Sequence, residues 1–159
     1  MRYFLIDKIT AVEPGKSATG LKCITYSDEI MHDHFPGHPI MPGALITEAM
    51  AQLAGFLLEV TINREESKEI RRAVLAQIEK MKFYKMSEPG DRLEIVTTIE
   101  SLHEEAVQVS VQATADGELR VKGRLTFAMM KIDTPRITEQ RLQTYKIWTR
   151  KLENCPILR

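Results

Sequence analysis

Cysteine is scarce: Cys23 and Cys155 are the only two, and neither their number nor their spacing resembles a disulfide framework or a zinc pair. The thiols are therefore expected to be reduced. Excess charge is also missing, since 22 basic residues balance 22 acidic ones, and no global attraction to nucleic acid is expected. No signal peptide is recognisable and no apolar run is read as reaching membrane length, so the expected location is cytoplasmic. Internal repeats and low-complexity segments are lacking too. What remains is a globular chain of 159 residues, 43% hydrophobic and 28% charged, able to bury a core without cross-links.

The densest apolar stretch runs from Gly43 to about Val60, where Leu45, Ile46, Ala49, Met50, Leu53, Phe56, Leu57 and Val60 cover roughly half of a helical circumference. Such a helix belongs at the centre of a fold. Glu48 is its anomaly, on a strip shared with Ala44, Ala51, Gln52 and Gly55. A carboxyl group held away from water is drawn toward its neutral form, the form a proton donor needs. On the helix alone, a carboxylate satisfied by backbone donors or a neighbouring arginine is an equal alternative.

Upstream, Pro36, Pro39 and Pro42 recur every third residue beside Gly37 and Gly43, which excludes helix and central strand. The segment is a stiff connection that aims His34 at the helix start. Pro42 suits the first helical position and leaves the Gly43 and Ala44 amides as unpaired donors for a developing oxyanion. His32, His34 and His38 with Asp33 invite a metal reading, but the spacing fits no standard ligand pattern and no metal is expected.

The run from His34 through Phe35, Pro36 and Gly37 to Pro42-Gly43 and Glu48-Ala49-Met50-Ala51-Gln52 resembles the FabZ-type 3-hydroxyacyl-acyl carrier protein dehydratases. Tyr3 to Ile9 looks like that family's first strand, and Pro89-Gly90-Asp91 like its turn before a long strand. The resemblance implies His34 and Glu48 as the catalytic pair, meeting from opposite subunits of a homodimer, with a trimer of dimers as the larger assembly. It implies Gly43 as an oxyanion donor, with Ala44, Phe35, Pro42 and Gln52 completing the substrate-binding set. It also implies a cis peptide between His34 and Phe35, an acyl carrier protein as partner and no cofactor. Asp33 departs from a common glycine, while Met31, His32 and His38 depart at positions taken to shape the substrate mouth.

The implied reaction removes water from a 3-hydroxyacyl thioester to give the trans-2-enoyl product, in fatty-acid or related acyl-chain synthesis. A hotdog thioester hydrolase and a catalytically inactive acyl-carrier binding subunit are the two alternatives. Lys80, Lys82, Lys85, Arg71 and Arg72 offer a basic patch to an acidic carrier, against the plainer reading of solvated strand charge.

Period-two alternation and turn signals give strands at 2–13, 16–27, 73–86, 91–103, 105–115 and 118–131, around a helix ending near 62. The charged run from Asn63 to Arg72 reads as a solvated connection. One long helix followed by antiparallel strands argues for an α+β fold and resembles the hotdog arrangement, in which the sheet wraps the helix. Residues 1–132 form the expected hotdog dehydratase domain and 133–159 a C-terminal extension. In the extension, Thr138 is expected to cap a helix from Glu139 to about Glu153, which packs on the body or on a neighbouring subunit. Its basic residues Lys146, Arg150 and Lys151 leave a membrane-surface role as the lesser alternative.

Overall fold

Alternate valines set the inner face of the sheet: Val107, Val109 and Val111 point inward and are buried, as are Leu93 and Ile95 on the neighbouring strand. The computed structural model describes residues 3–65, 68–132 and 134–159. Within them lie β1 (Lys8–Glu13), β2 (Ser17–Cys23), a short α1 (Ile30–Asp33), α2 (Gly43–Ile62), β3 (Arg71–Phe83), β4 (Arg92–Leu102), β5 (Ala106–Ala115), β6 (Glu118–Lys131) and α3 (Pro135–Trp148). Arg2, Glu66, Ser67 and Asp133, on which parts of the expected first strand, charged connection and strand break fall, lie outside the described residues.

The strands form one antiparallel sheet in the order β1-β2-β4-β5-β6-β3, which places β1 and β3 at its edges. Asp116 and Gly117 both take positive φ, 51° and 76°, as a two-residue hairpin turn between β5 and β6 requires. The sheet curls around α2, whose Leu53, Phe56, Leu57 and Leu58 are fully buried. Burying each such side chain contributes roughly 1.5–3 kcal/mol, so the helix anchors the core. This is the hotdog arrangement.

Four expectations need correction. Gly43–Ile62 is in fact long and apolar enough to cross a membrane by length and composition, but 72% of its 18-residue apolar window is buried inside the protein as the core helix. Pro42 is the residue before the helix, not its first, because its ψ of 131° is extended. The C-terminal helix starts at Pro135, where proline's missing N–H costs nothing, so Thr134 is the flanking residue and Thr138 lies inside the helix. The strands are shorter at several ends than alternation predicts, and Arg71 and Arg72 belong to β3 and not to a solvated loop.

Candidate active site

α1 and the proline-rich turn present His34. Its Nδ1 lies 3.0 Å from the Ile40 carbonyl, and the Ile40 amide returns a 2.8 Å bond to the His34 carbonyl. Phe35 and His38 exchange two further backbone bonds, 3.0 and 2.9 Å, closing the turn, and the Phe35 ring stacks on the imidazole at 4.2 Å between centroids. The His34–Phe35 peptide is cis. A carbonyl only accepts, so Nδ1 carries the proton in the neutral ring and Nε2 keeps its lone pair.

At the start of α2 the Pro42 carbonyl accepts the amides of Leu45 (2.9 Å) and Ile46 (3.1 Å). The Gly43 and Ala44 amides precede the first carbonyl that the helix can offer them and remain donors at its positive end. A Cβ at Gly43 would stand 2.7 Å from the Phe83 ring, so a side chain there would force that ring to shift. Gly43 and His34 share one hollow of about 420 Å³, with Phe83, Tyr84 and Met86 on its far wall. Phe83, Tyr84 and Met86 in the hollow, and Phe35 beside the imidazole, leave about half of their surface exposed, a concentration of apolar area beside a polar group.

Glu48 faces elsewhere. It is partly buried and lines a separate cavity of about 400 Å³, floored by Ala51, Gln52 and Gly55 of α2, with Tyr3 and Phe4 at one side and Ala73, Leu75 and Phe127 of the sheet at another. Gln52 organises this end: its Nε2 donates to Glu48 Oε1 (3.0 Å) and to the Tyr3 carbonyl (2.7 Å), while its Oε1 accepts the Leu5 amide (2.8 Å). Within one chain, the hollow of His34 and the cavity of Glu48 share no lining residue. Gly43 and Glu48 are five residues apart, about 140° around the helix axis, so the two hollows open on different sides of α2.

Several residues fall outside their expected places. Met31 is buried in the core and does not shape a mouth, and His32 packs against Tyr26. Arg72 is unavailable to a carrier protein because it is fully buried against Glu59, with Nη1 to Oε2 at 2.9 Å. Arg71 pairs with Glu104 and Lys85 with Glu118, which neutralises much of the supposed basic patch. Among the described residues no cluster of His, Cys, Asp or Glu is arranged to hold a metal.

The cluster around Glu59 escaped sequence reasoning. Beyond Arg72, its oxygens accept the Ala73 amide (3.1 Å), Arg141 (2.5 Å) and the Tyr145 hydroxyl (2.9 Å), and Arg72 reaches on to Thr138 Oγ1 (3.1 Å). Burial pulls the Arg141 guanidinium down, but Glu59 and Tyr145 outweigh it and hold it above its ordinary value. Burial first, and then Glu59, push the Tyr145 phenol well above its usual range. The available signal was positional: Glu48, Gln52, Gly55 and Glu59 recur at i, i+4, i+7 and i+11, a polar stripe on an otherwise apolar helix.

Residues 1–129 match the FabA-like domain family. The 3-hydroxyacyl-acyl-carrier-protein dehydratase FabZ of Acetivibrio thermocellus is 43% identical over 135 residues, covering 83% of this chain and 86% of that protein. The FabZ of Rickettsia bellii strain RML369-C is 37% identical over 129 residues, 81% and 86% of the two chains. Among solved structures, a Streptococcus mutans protein bound to acetyl CoA aligns with a TM-score of 0.64 at 18% identity, over 84% of this chain and 96% of that one. The dehydratase heterocomplex ApeI:P of Xenorhabdus doucetiae aligns at 0.65 and 18%, over 87% and 90%. These structural likenesses speak to the fold, whereas the sequence matches speak to descent: the chain belongs to the FabA-like family, among the FabZ-type 3-hydroxyacyl-acyl carrier protein dehydratases.

Proposed function

We propose that this protein removes water from carrier-bound 3-hydroxyacyl thioesters to give trans-2-enoyl thioesters, with His34 as general base and Glu48 as general acid. The observation that carries the reading is the His34 imidazole, fixed through Nδ1 on the Ile40 carbonyl and sharing a hollow with the Gly43 amide. Nε2 is thereby left to take the α-proton of a thioester whose carbonyl oxygen rests on the Gly43 and Ala44 amides. The C–H electron pair passes into the enolate, and its return to form the double bond expels the 3-hydroxyl. Glu48 gives that hydroxyl its proton, so the leaving group departs as water. His34 ends protonated and Glu48 ionised, and one proton returned from imidazolium to carboxylate through solvent resets the pair.

The hollow of His34 and the cavity of Glu48 open on different sides of α2, which supports a catalytic pair assembled by a homodimer, each site taking its imidazole from one protomer and its carboxyl from the other. The edge position of β3 and the apolar surface around His34 support such pairing, since an unpaired sheet edge and an exposed apolar patch both favour a second copy. A trimer of dimers extends the same contacts. Phe35, Pro42 and Gln52 serve as binding and positioning groups, Gln52 by its bond to Glu48. The location is cytoplasmic, where acyl carrier protein would deliver the substrate, and residues 1–132 form the dehydratase unit to which 133–159 are appended.

Incubation with 3-hydroxyacyl groups on acyl carrier protein, followed by mass spectrometry of the acyl carrier, tests the reading. Loss of one water with the thioester intact is the expected result. Release of free acid would favour the hydrolase alternative, and carrier binding without product the inactive subunit.

A further inference from the structure

The cavity that holds Glu48 is walled on one side by an element outside the family match. Matched residues end at 129, and α3 begins at Pro135. From α3, Ile137, Gln140, Thr144, Tyr145 and Trp148 line the cavity, across from the strip Glu48-Ala51-Gln52-Gly55 of α2. Between Glu48 and Gly55 that strip extends about 10 Å along the helix axis, at about 1.5 Å per residue. Its small residues, Ala51 and Gly55, leave the space into which α3 looks.

The wall is held rigidly. Tyr145 and Arg141 reach from α3 to the buried Glu59 of α2, Thr138 bonds Arg72 of β3, and Tyr145 packs edge-on against Phe56 with ring centroids 5.0 Å apart. A wall fixed by buried charge does not yield to a longer ligand as a loose terminus would.

We infer that α3 is the acyl-length determinant of this protein: an aliphatic tail whose 3-hydroxyl lies at Glu48 runs along the Ala51–Gly55 strip and ends against Ile137, Gln140 and Trp148. The inference takes its ligand from the proposed dehydratase reading. It deepens that reading by assigning chain-length selection to a segment beyond the matched residues.

Trp148 is the single tryptophan of the chain and it lines the cavity, so its fluorescence reports the tail directly and without turnover. The intact protein is titrated with 3-hydroxyacyl thioesters of N-acetylcysteamine that carry a terminal bromine, in a series of increasing length. Saturable quenching is expected to appear once the chain is long enough for bromine to meet the indole. In parallel, the ratio of kcat/KM for a long against a short substrate is compared in wild type, Ile137→Ala, Gln140→Phe and the solvent-facing Ile147→Ala. Enlarging the wall at Ile137 raises the ratio and filling it at Gln140 lowers it, each by about tenfold, as a change of a few methylene groups in an apolar pocket allows; Ile147→Ala leaves it alone. Absence of quenching at every length, or a ratio indifferent to Ile137 and Gln140, overturns the inference. Enoyl product without quenching leaves the dehydratase reading standing and removes this one, whereas quenching without product does the reverse.

Discussion

Glu48 and Glu59 stand on one stripe of one helix, eleven residues and about 20° apart around its axis, yet they live in opposite circumstances. Glu59 is 2% exposed and its two oxygens accept from Arg72, Arg141, Tyr145 and the Ala73 amide. The donors packed around it leave no room for a ligand. Glu48 is only partly buried, holds a single side-chain bond from Gln52, and looks into an open cavity. The difference lies in the supply of partners: a carboxylate whose lone pairs are consumed by the protein stabilises the protein, and one left short of partners beside a cavity is available to a substrate.

That contrast can be broken or sharpened by substitution. Glu48→Gln and His34→Ala are each expected to lower kcat by roughly 10² to 10⁴ while leaving the urea midpoint almost in place, since each removes a proton-transfer group and little packing. Glu59→Gln or Arg72→Ala should act the other way round. Breaking a buried pair leaves its partner uncompensated, and a loss of about 3–5 kcal/mol in urea unfolding is expected, together with loosening of α3 detectable by hydrogen exchange at Thr144 and Tyr145. Equal stability of the Glu48 and Glu59 variants would erase the distinction.

Gln52→Leu tests the hinge between the two roles. It strands the Leu5 amide and the Tyr3 carbonyl and frees Glu48, so about 1–3 kcal/mol of stability and part of the turnover should be lost together. Tyr145 gives a pH test. Its folded pKa lies above the unfolded value, so its contribution to stability is complete below about pH 10 and declines as pH rises beyond the unfolded value. In an alkaline absorbance titration compared between wild type and Tyr145→Phe, the Tyr145 signal should appear only as the chain unfolds; its ionisation in the folded chain would contradict its burial. The smallest effect belongs to Lys85→Ala. Its ion pair with Glu118 is exposed and screened by solvent, so the midpoint of the same unfolding assay is expected to stay almost in place.

Much of this contrast could be read from the sequence in one direction only. The length of α2, the hairpin at Asp116-Gly117 and the alternation in β4 and β5 are local signals, written in periodicity and turn chemistry. The stiff loop before Gly43 likewise marks His34, because proline spacing leaves few backbone options. Glu59 was opaque for a physical reason: at the end of an apolar helix an acid ordinarily marks the return to solvent, and its partners Arg72, Arg141 and Tyr145 come from β3 and α3, 13 to 86 residues away in the chain. Arg72 misled in the same way, a basic residue within a charged run whose burial depends on a tertiary partner. The start of α3 is hard to read because Thr138 looks like a cap, although Pro135 three residues earlier is better suited to open a helix.

The central claim is that His34 of one protomer serves Glu48 of another, and subunit complementation tests it most directly. His34→Ala and Glu48→Gln chains are co-expressed so that protomers mix, and dehydration by the mixture is compared with each variant alone. A mixed dimer carries one site with both lesions and one with neither, so random pairing should restore about a quarter of wild-type turnover. Turnover no higher than the average of the two inactive parents would contradict a shared site.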